Sequence, residues 1–599
     1  MCYVNEKGNC FIKKELLVMD NNHIAQFFYK ITEYLELKGE NPFKIRAYSN
    51  AARIIESHTK DLSKITDIVE LRKIKGIGES IAEKIVEINK TGKCSYLEEL
   101  EKEIPKGLLD ITTVPGIGPK KAAFLYKEKK IKSVDELKKY AEKGKLHDLK
   151  GFGEKTEENI LKGIEVKDKF HGRMTIGQAL PAAKEIINYL SKKLKIKQIT
   201  EAGSLRRRRE DIGDIDILAS SDDNMPAKKI MDAFTASPFV KEVLAKGGTK
   251  SAIISHDDVQ VDIRVVEKES FGAALQYFTG SKQHNIILRQ YAEGLGFKVN
   301  EYGVFRLKDN KKVAGETEES VYKALGLPLI PVPIRETGEE IELALKGKLP
   351  KLVEKKDIRG DLHFHTVKSD GFNTIEEIVK DASAFGYEYI ALTDHSQSLK
   401  VAHGVTEKDK LKQIETIRKL NEKNNKFKIL AGAEVDILKY GDLDYPGNIL
   451  KKLDIVVASV HSYFKFTRKE MTDRIIKAIK NPNVDIIAHP TGRLFGTRDE
   501  VEADWDEVFK AAAYYNTALE INSFPNRLDL KDIYCRRAKE FGVLFAISTD
   551  GHNTNQLEFI EYGINVAQRG WLTAKDIINT KSYSDLIKWL NRGQALQKL

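Results

Sequence analysis

Cysteine is scarce in this chain: Cys2, Cys10, Cys94 and Cys535 are all there is, and none forms a CxxC pair. That excludes a disulfide framework and points to a reducing cytoplasm. No apolar run is long enough to span a bilayer and no signal-peptide pattern opens the sequence, so no membrane partner is expected. Histidine is sparse as well, 13 residues in 599, so where the histidines fall is informative. Neither charge sign dominates: 99 Lys and Arg against 89 Asp and Glu leave +10, compatible with a polyanionic partner but modest for this length. At 41% hydrophobic and 31% charged the composition is that of a soluble globular protein. The length predicts several domains, since one core rarely serves more than about 250–300 residues. Residues 1–18 precede a second methionine, Met19, and read as an extension without assigned function.

The histidines concentrate in the last part of the chain. Seven short apolar runs occur there: Ile358–His365, Tyr389–His395, Lys428–Asp436, Asp454–His461, Val484–His489, Thr517–Asn522 and Val543–His552. Six of them end in His, Asp or Glu, and most are separated by helical-looking segments. Continuous apolar runs alternating with helices predict a parallel barrel, and in such barrels chemistry gathers at the carboxyl ends of the strands. The polar ends are His363, His365, Asp370, His395, Glu434, His461, His489, Asp550 and His552. His363 and His365 share a strand face at period two, as do Asp550 and His552 if their strand extends that far. A lone strand-end histidine is usually structural, but six at equivalent ends point to a metal centre. Mixed imidazole and carboxylate donors suit Zn²⁺, Mn²⁺ or Fe²⁺ better than Mg²⁺.

The amino-terminal part is helical by period, with Ile24, Phe27, Phe28, Ile31 and Leu35 spaced as a core face. Three segments then repeat one pattern, an apolar residue between two glycines followed by a helix: Gly76 and Gly78, Gly116 and Gly118, Gly151 and Gly153. Two glycines permit a tight turn that aims backbone N–H groups at an anion. These segments resemble helix-hairpin-helix motifs, which grip the DNA backbone without reading sequence.

From Ile199 the period shifts towards two, with strands expected at Ile215–Ala219, Ala252–Ser255 and Val259–Val265. Asp214 and Asp216 stand two apart, and Asp262 occupies the polar face of VQVDIRV. Three converging carboxylates repel one another unless divalent cations neutralise them, and hard oxygen donors suit Mg²⁺. The rival reading of DxD is an edge-strand charge. Gly203, Ser204 and the arginines Arg206–Arg209 favour catalysis, because they supply donors for a triphosphate.

GSLRR followed by GDIDIL, the aspartate in VDIRV, and YFTG followed by Asn285 and Arg289 resemble the family X DNA polymerases, the group containing DNA polymerase beta. The resemblance runs from about Asn21 to Ile334. It implies that Asp214 and Asp216 hold both metals, Mg²⁺ or Mn²⁺, and that Asp262 holds the catalytic one and helps activate the primer 3′-OH. Ser204, Arg207 and Gly213 fall where the family binds the incoming deoxynucleoside triphosphate. Tyr277, Phe278, Gly280 and Asn285 match its sugar and base contacts, and Arg289 its contact with the nascent pair. Two residues depart from the pattern: Arg208 replaces a common glycine, and Lys282 an acidic residue of the animal enzymes. Lys84 falls at the family's Schiff-base lysine, with Lys44 and Tyr48 resembling its neighbours; phosphate binding is the alternative role.

The strand-end set is similar to the polymerase-and-histidinol-phosphatase (PHP) family across roughly Asp357–Leu590. That likeness implies a trinuclear Zn²⁺ or Mn²⁺ centre. His363, His365, Glu434 and Asp550 would hold one metal, Glu434 would bridge to a second on His461 and His489, and Asp370, His395 and His552 would hold the third. The expected architecture is multidomain. Residues 19–100 form a helical lyase-like domain and 101–168 helix-hairpin-helix fingers. An α+β nucleotidyltransferase palm (169–268) and thumb (269–334) follow, then a linker (335–356) and a distorted (β/α)7 barrel (357–599). The expected protein is a monomeric cytoplasmic repair polymerase filling gaps or nicks in double-stranded DNA. Its barrel would trim 3′ ends as a 3′–5′ exonuclease, incise abasic sites or process 3′-phosphates. The rivals are a small-molecule phosphoesterase and a DNA-binding scaffold with a vestigial polymerase.

Overall fold

The computed structural model describes residues 3–4, 10–11, 21–57, 62–74, 76–112, 114, 117–149, 151–153, 156–157, 160–161, 164, 173–222, 224–424 and 426–591. The chain divides into two compact units, one of Met1–Lys169 with Gly496–Arg498 and one of Phe170–Phe495 with Asp499–Leu599. The first unit is helical. Its longest helices, Asn21–Lys38 and Pro42–Ser57, bury Phe28, Ile31, Leu35 and Ala52 as the apolar period requires. The glycine turns feed helices as expected: Gly78 caps Glu79–Thr91 and Gly118 caps Pro119–Lys129. At Gly76 the backbone is left-handed (φ +95), so the turn demands glycine, and a Cβ there would press on Cδ1 of Ile54 at 2.3 Å. Gly116 lies outside the described residues.

The second unit opens with a five-stranded sheet: β1 (Ile199–Glu201), β2 (Ile215–Ser221), β3 (Val240–Lys246), β4 (Lys250–Ser255) and β5 (Gln260–Glu267). Its order is β1-β2-β5-β4-β3, with β2 and β5 parallel. Helices Phe271–Thr279 and Lys282–Gly294 lead to a small antiparallel sheet. The stretch 335–356, expected as a linker, is packed. It holds helix Glu339–Leu345, and Arg335 is fully buried against Glu318 at 2.7 Å. The charge of Arg335 is neutralised internally.

The last part is the expected barrel: β6 (Gly360–Phe364), β7 (Tyr389–Leu392), β8 (Lys428–Asp436), β9 (Ile455–Ser459), β10 (Ile486–Ile487), β11 (Ala518–Asn522) and β12 (Phe545–Ser548). All are parallel and neighbours in chain order. A bridge from Phe364 to Gly551 brings the two ends of the sheet together. β6, β7, β9, β11 and β12 are buried throughout, which is why their sequences read as continuous apolar runs. One expectation fails in detail: β12 ends at Ser548, so Asp550 and His552 do not share a strand face. Asp550 instead takes a left-handed backbone (φ 53) and turns into the site.

Candidate metal centres and nucleic-acid contacts

In the sheet of the second unit, Asp216 pairs directly with Asp262 across the parallel β2–β5 ladder, and Asp214 immediately precedes β2. β2 is an interior strand, which removes the edge-charge reading. Burial first, then the charges of Asp214 and Asp262, push the Asp216 carboxyl up to about 6. Carboxylates crowded in this way favour a proton or a cation. Asp262 is held by Lys250 Nζ at 3.0 Å and by Gln260 Nε2, which donates at 2.9 Å. Gly203 (φ +59) lies over Asp216, where a Cβ would fall 2.1 Å from Oδ2.

The arginines next to this acid cluster are more committed than a triphosphate clamp requires. Arg206 forms a two-pronged pair with Glu318, Arg208 bonds Glu201 at 3.1 Å, and Arg209 bonds Asp211 at 3.1 Å. Arg207 donates Nε to Glu336 at 3.0 Å and Nη1 to the Thr279 carbonyl. That places Arg207 against Gly280, so the structure joins two of the expected nucleotide residues. Asn285 donates to the Tyr277 carbonyl at 2.7 Å and accepts from Gln276 at 2.8 Å, tying it to the same loop. Phe278 packs edge-on to Tyr277, with Arg264 over its face at 4.5 Å. Ser204 is half-buried within the Gly203–Arg206 turn, Gly213 directly precedes Asp214, and Arg289 is exposed.

The barrel gathers all nine expected donors. Glu434, at the carboxyl end of β8, lies centrally. Its Oε1 is 3.0 Å from His489 Nε2 and 3.2 Å from His461 Nε2, and its Oε2 is 2.7 Å from His395 Nδ1 and 3.4 Å from His363 Nε2. Asp550 lies 3.1 Å from His365 Nε2, while Asp370 meets His552 and His395 at 3.3 and 3.5 Å. Ligand atoms converge within 4.8 Å in three groups: His363–His365–Glu434–Asp550, His365–Asp370–His395–His552, and His395–Glu434–His461. These groups differ from the expected partition at one place: His395, not His489, joins Glu434 and His461, and Glu434, His365 and His395 each serve two groups. Burial opposes charge throughout, but His395, His461 and His363 together hold Glu434 well below the carboxylate range. Burial, with neighbouring cations, lowers His365 to about 4 and His489 to about 3, keeping their lone pairs available. His363 Nε2 and His365 Nδ1 are buried without a hydrogen-bond partner, the condition a cation would relieve.

A supporting layer escaped the sequence reading. Glu520 accepts from His363 Nδ1 and from the His489 backbone N–H, both at 2.7 Å. Asp436 accepts from His461 Nδ1 at 2.6 Å. Carboxylates on the far nitrogen fix the tautomer and ring orientation of a ligating histidine. Asn522 donates to Asp550 at 3.0 Å, and Arg527 Nε lies 3.5 Å from the same carboxylate with Nη1 buried and unpartnered. Period two in TALEIN puts Glu520 and Asn522 on one face, a signal hidden because that run ends in neither His, Asp nor Glu.

In the first unit, Lys84 Nζ bonds Ser80 Oγ at 3.0 Å and lies over the Tyr96 and Tyr48 rings at 4.9 and 5.8 Å. Lys44 approaches the same Tyr96 ring at 5.5 Å. Lys44, Tyr48 and Lys84 therefore share one cluster.

Family models match four segments: a helix-hairpin-helix domain over residues 19–94, a SAM-like helix-hairpin-helix tandem over 108–165, a DNA polymerase beta thumb over 274–336 and a PHP domain over 361–524. The chain is 41% identical over 577 residues to the DNA polymerase/3′-5′ exonuclease PolX of Bacillus subtilis strain 168, covering 96% of this chain and 100% of that protein. The barrel part is 34% identical over 232 residues to a probable phosphatase of Thermoanaerobacter sp. strain X514, covering 37% of this chain and 89% of that one. A probable phosphatase of Acetivibrio thermocellus is 34% identical over 201 residues, 32% of this chain and 78% of its own length. With likeness to a relative along that relative's whole length, the chain belongs to the PolX family, family X DNA polymerases that carry a carboxy-terminal PHP domain.

Proposed function

We propose that the chain is a DNA-directed DNA polymerase with a 3′–5′ exonuclease in its barrel, filling short gaps or nicks during DNA repair. The observation that carries this reading is one chain of this family holding two unlike donor sets, an all-carboxylate one at Asp214, Asp216 and Asp262 and an imidazole-rich one around Glu434. Mg²⁺ or Mn²⁺ at the first and Zn²⁺ or Mn²⁺ at the second would supply Lewis acidity for making and breaking phosphodiesters. Ser204 and Arg207 bind the triphosphate; Tyr277, Phe278, Gly280 and Asn285 seat the sugar and base, and Arg289 contacts the nascent pair. Gly76, Gly78, Gly118, Gly151 and Gly153 open backbone N–H groups to DNA phosphates. Lys84, among Tyr48, Tyr96 and Lys44, is the candidate Schiff-base lysine for 5′-deoxyribose-phosphate removal. Arg527, whose Nε lies 3.5 Å from Asp550 and whose Nη1 has no hydrogen-bond partner, would meet the scissile phosphate. The barrel's likeness to probable phosphatases favours 3′-phosphate removal as a second reaction there.

Separability tests the reading. On a labelled gapped duplex, Asp214→Ala or Asp216→Ala abolishes incorporation while 3′ degradation continues, and His365→Ala does the reverse. Joint loss of both activities in a folded variant refutes the assignment of two centres.

A further inference from the structure

A singly exposed aromatic ring is ordinary on a protein surface, but two exposed rings joined by one lysine beside a cluster of metal donors are not. Two such rings lie on neighbouring loops at the carboxyl end of the barrel: Tyr440 is 72% exposed and Tyr463 51%. Tyr463 follows His461 by two residues, so its Cα lies within roughly 7 Å of that of the histidine. Tyr440 lies on the loop that leaves β8 after Asp436, the carboxylate bonded to His461. Lys439 joins the rings, its Nζ 5.1 Å from the Tyr440 centroid and 5.8 Å from that of Tyr463.

The arrangement is held rigidly. Buried Arg474 donates Nε to the Leu438 carbonyl at 2.9 Å, Nη1 to the Ser462 carbonyl at 2.8 Å, and Nη2 to the Ile437 carbonyl, clamping both loops with one guanidinium. The Tyr440 loop closes in a tight turn, Leu438 N–H to the Asp442 carbonyl at 2.8 Å. Its Gly441 has φ +86, and a Cβ there would fall 2.8 Å from the Arg474 carbonyl. Tyr463 itself is held at φ 56, uncommon for a bulky residue and found where function repays the strain.

We propose that Tyr440 and Tyr463 form a stacking platform for nucleobases at the 3′ end entering the barrel centre, with Lys439 meeting the adjoining phosphate; this rests on the nuclease reading above. Exposed rings offer a face to any unpaired base irrespective of sequence, and a cation between them suits an anionic backbone. Tyr463 follows His461 by two residues and Tyr440 follows Asp436, the carboxylate bonded to His461, by four, which favours the substrate strand as the platform's occupant.

The test is degradation of a 5′-labelled single strand. Tyr440→Ala and Tyr463→Ala each raise KM about tenfold, more than they lower kcat, and the phenylalanine variants restore the parent KM. The parent also discriminates against a strand whose last two residues are abasic, and the alanine variants lose that discrimination. Alanine variants with the parent's KM, or phenylalanine variants as defective as alanine, overturn the platform. A parent that degrades no 3′ end overturns the nuclease reading instead. The platform is then decided by fluorescence anisotropy with the same strand in EDTA: weaker binding by Tyr463→Ala supports it, and unchanged binding overturns it.

Discussion

Glu520 is the sharpest place to perturb the barrel centre without touching a ligand. Its two oxygens are fully used, Oε1 by His363 Nδ1 and Oε2 by the His489 N–H, both at 2.7 Å, with Asn522 Nδ2 adding a bond to Oε2 at 3.2 Å. All three partners donate, so Glu520→Gln must turn an NH₂ towards a donor in either orientation. If the amide faces His489 and Asn522, a buried donor pair is unmet, costing about 1–3 kcal/mol. If it faces His363, Nδ1 must accept, and the ring proton moves to Nε2, the nitrogen 3.4 Å from Glu434 and 3.5 Å from Asp550. That nitrogen then has no lone pair for a cation. Loss of such a supporting carboxylate typically weakens metal binding about 10–100-fold. Competition titration against a chromophoric chelator measures this directly, with gap filling as the internal control because Glu520 lies in the barrel and not beside Asp216. Parent-like affinity for the metal together with parent-like stability in the Glu520→Gln protein refutes the claim that this carboxylate must accept from all three donors and so sets the His363 tautomer.

Asp216 predicts a pH limb. Its carboxyl is raised to about 6 and the protonated acid is a poor ligand, so incorporation at limiting Mg²⁺ falls as pH drops through about 6. Excess Mg²⁺ recovers it, and a flat profile from pH 7 to 5 at limiting metal contradicts the crowding argument. Lys250 opposes this shift, so Lys250→Gln moves the limb to higher pH, read from the same titration. Borohydride trapping on a 5′-deoxyribose-phosphate substrate is lost in Lys84→Ala; trapping at the parent level excludes Lys84 as the principal Schiff-base residue.

What the sequence displayed was what short-range pattern encodes. β8 runs over Lys428–Asp436, the limits its apolar run suggested, because buried parallel strands cannot tolerate interruption. Val484–His489 shrinks to the two-residue β10, since His489 leaves the extended region (φ 26) to aim its ring at Glu434. The candidate ligands at strand ends were legible because six histidines recur at equivalent ends, where one alone would read as structural. Glu520 was not, since nothing in TALEIN distinguishes a carboxylate supporting an imidazole from one facing solvent. In the 335–356 stretch the composition shows the charge but not its partner: Glu318, distant in sequence, neutralises Arg335 inside the fold.

The same distant pairing explains how the barrel is seated on the rest of its unit. Glu210, four residues before Asp214, grips Arg493 of the barrel at 2.9 and 2.7 Å, and Arg493 in turn donates Nε to the Arg527 carbonyl at 2.9 Å. Arg569 bonds Glu336 at 2.8 Å, Asp532 at 2.7 Å and the Arg207 carbonyl at 3.0 Å, while Glu336 also accepts from Arg207. Buried ion pairs cost desolvation and add little net stability, but each tolerates only one alignment. We propose that the junction works as a register more than as adhesive; loss of coupling between the two activities in Arg493→Met with stability retained supports this, and unchanged activities refute it. Its two pins end beside the two centres: one on the arginine matched to the triphosphate, the other on the backbone of the arginine next to Asp550. A barrel tethered by a flexible linker would need neither pin, so the seating belongs to the geometry of both sites.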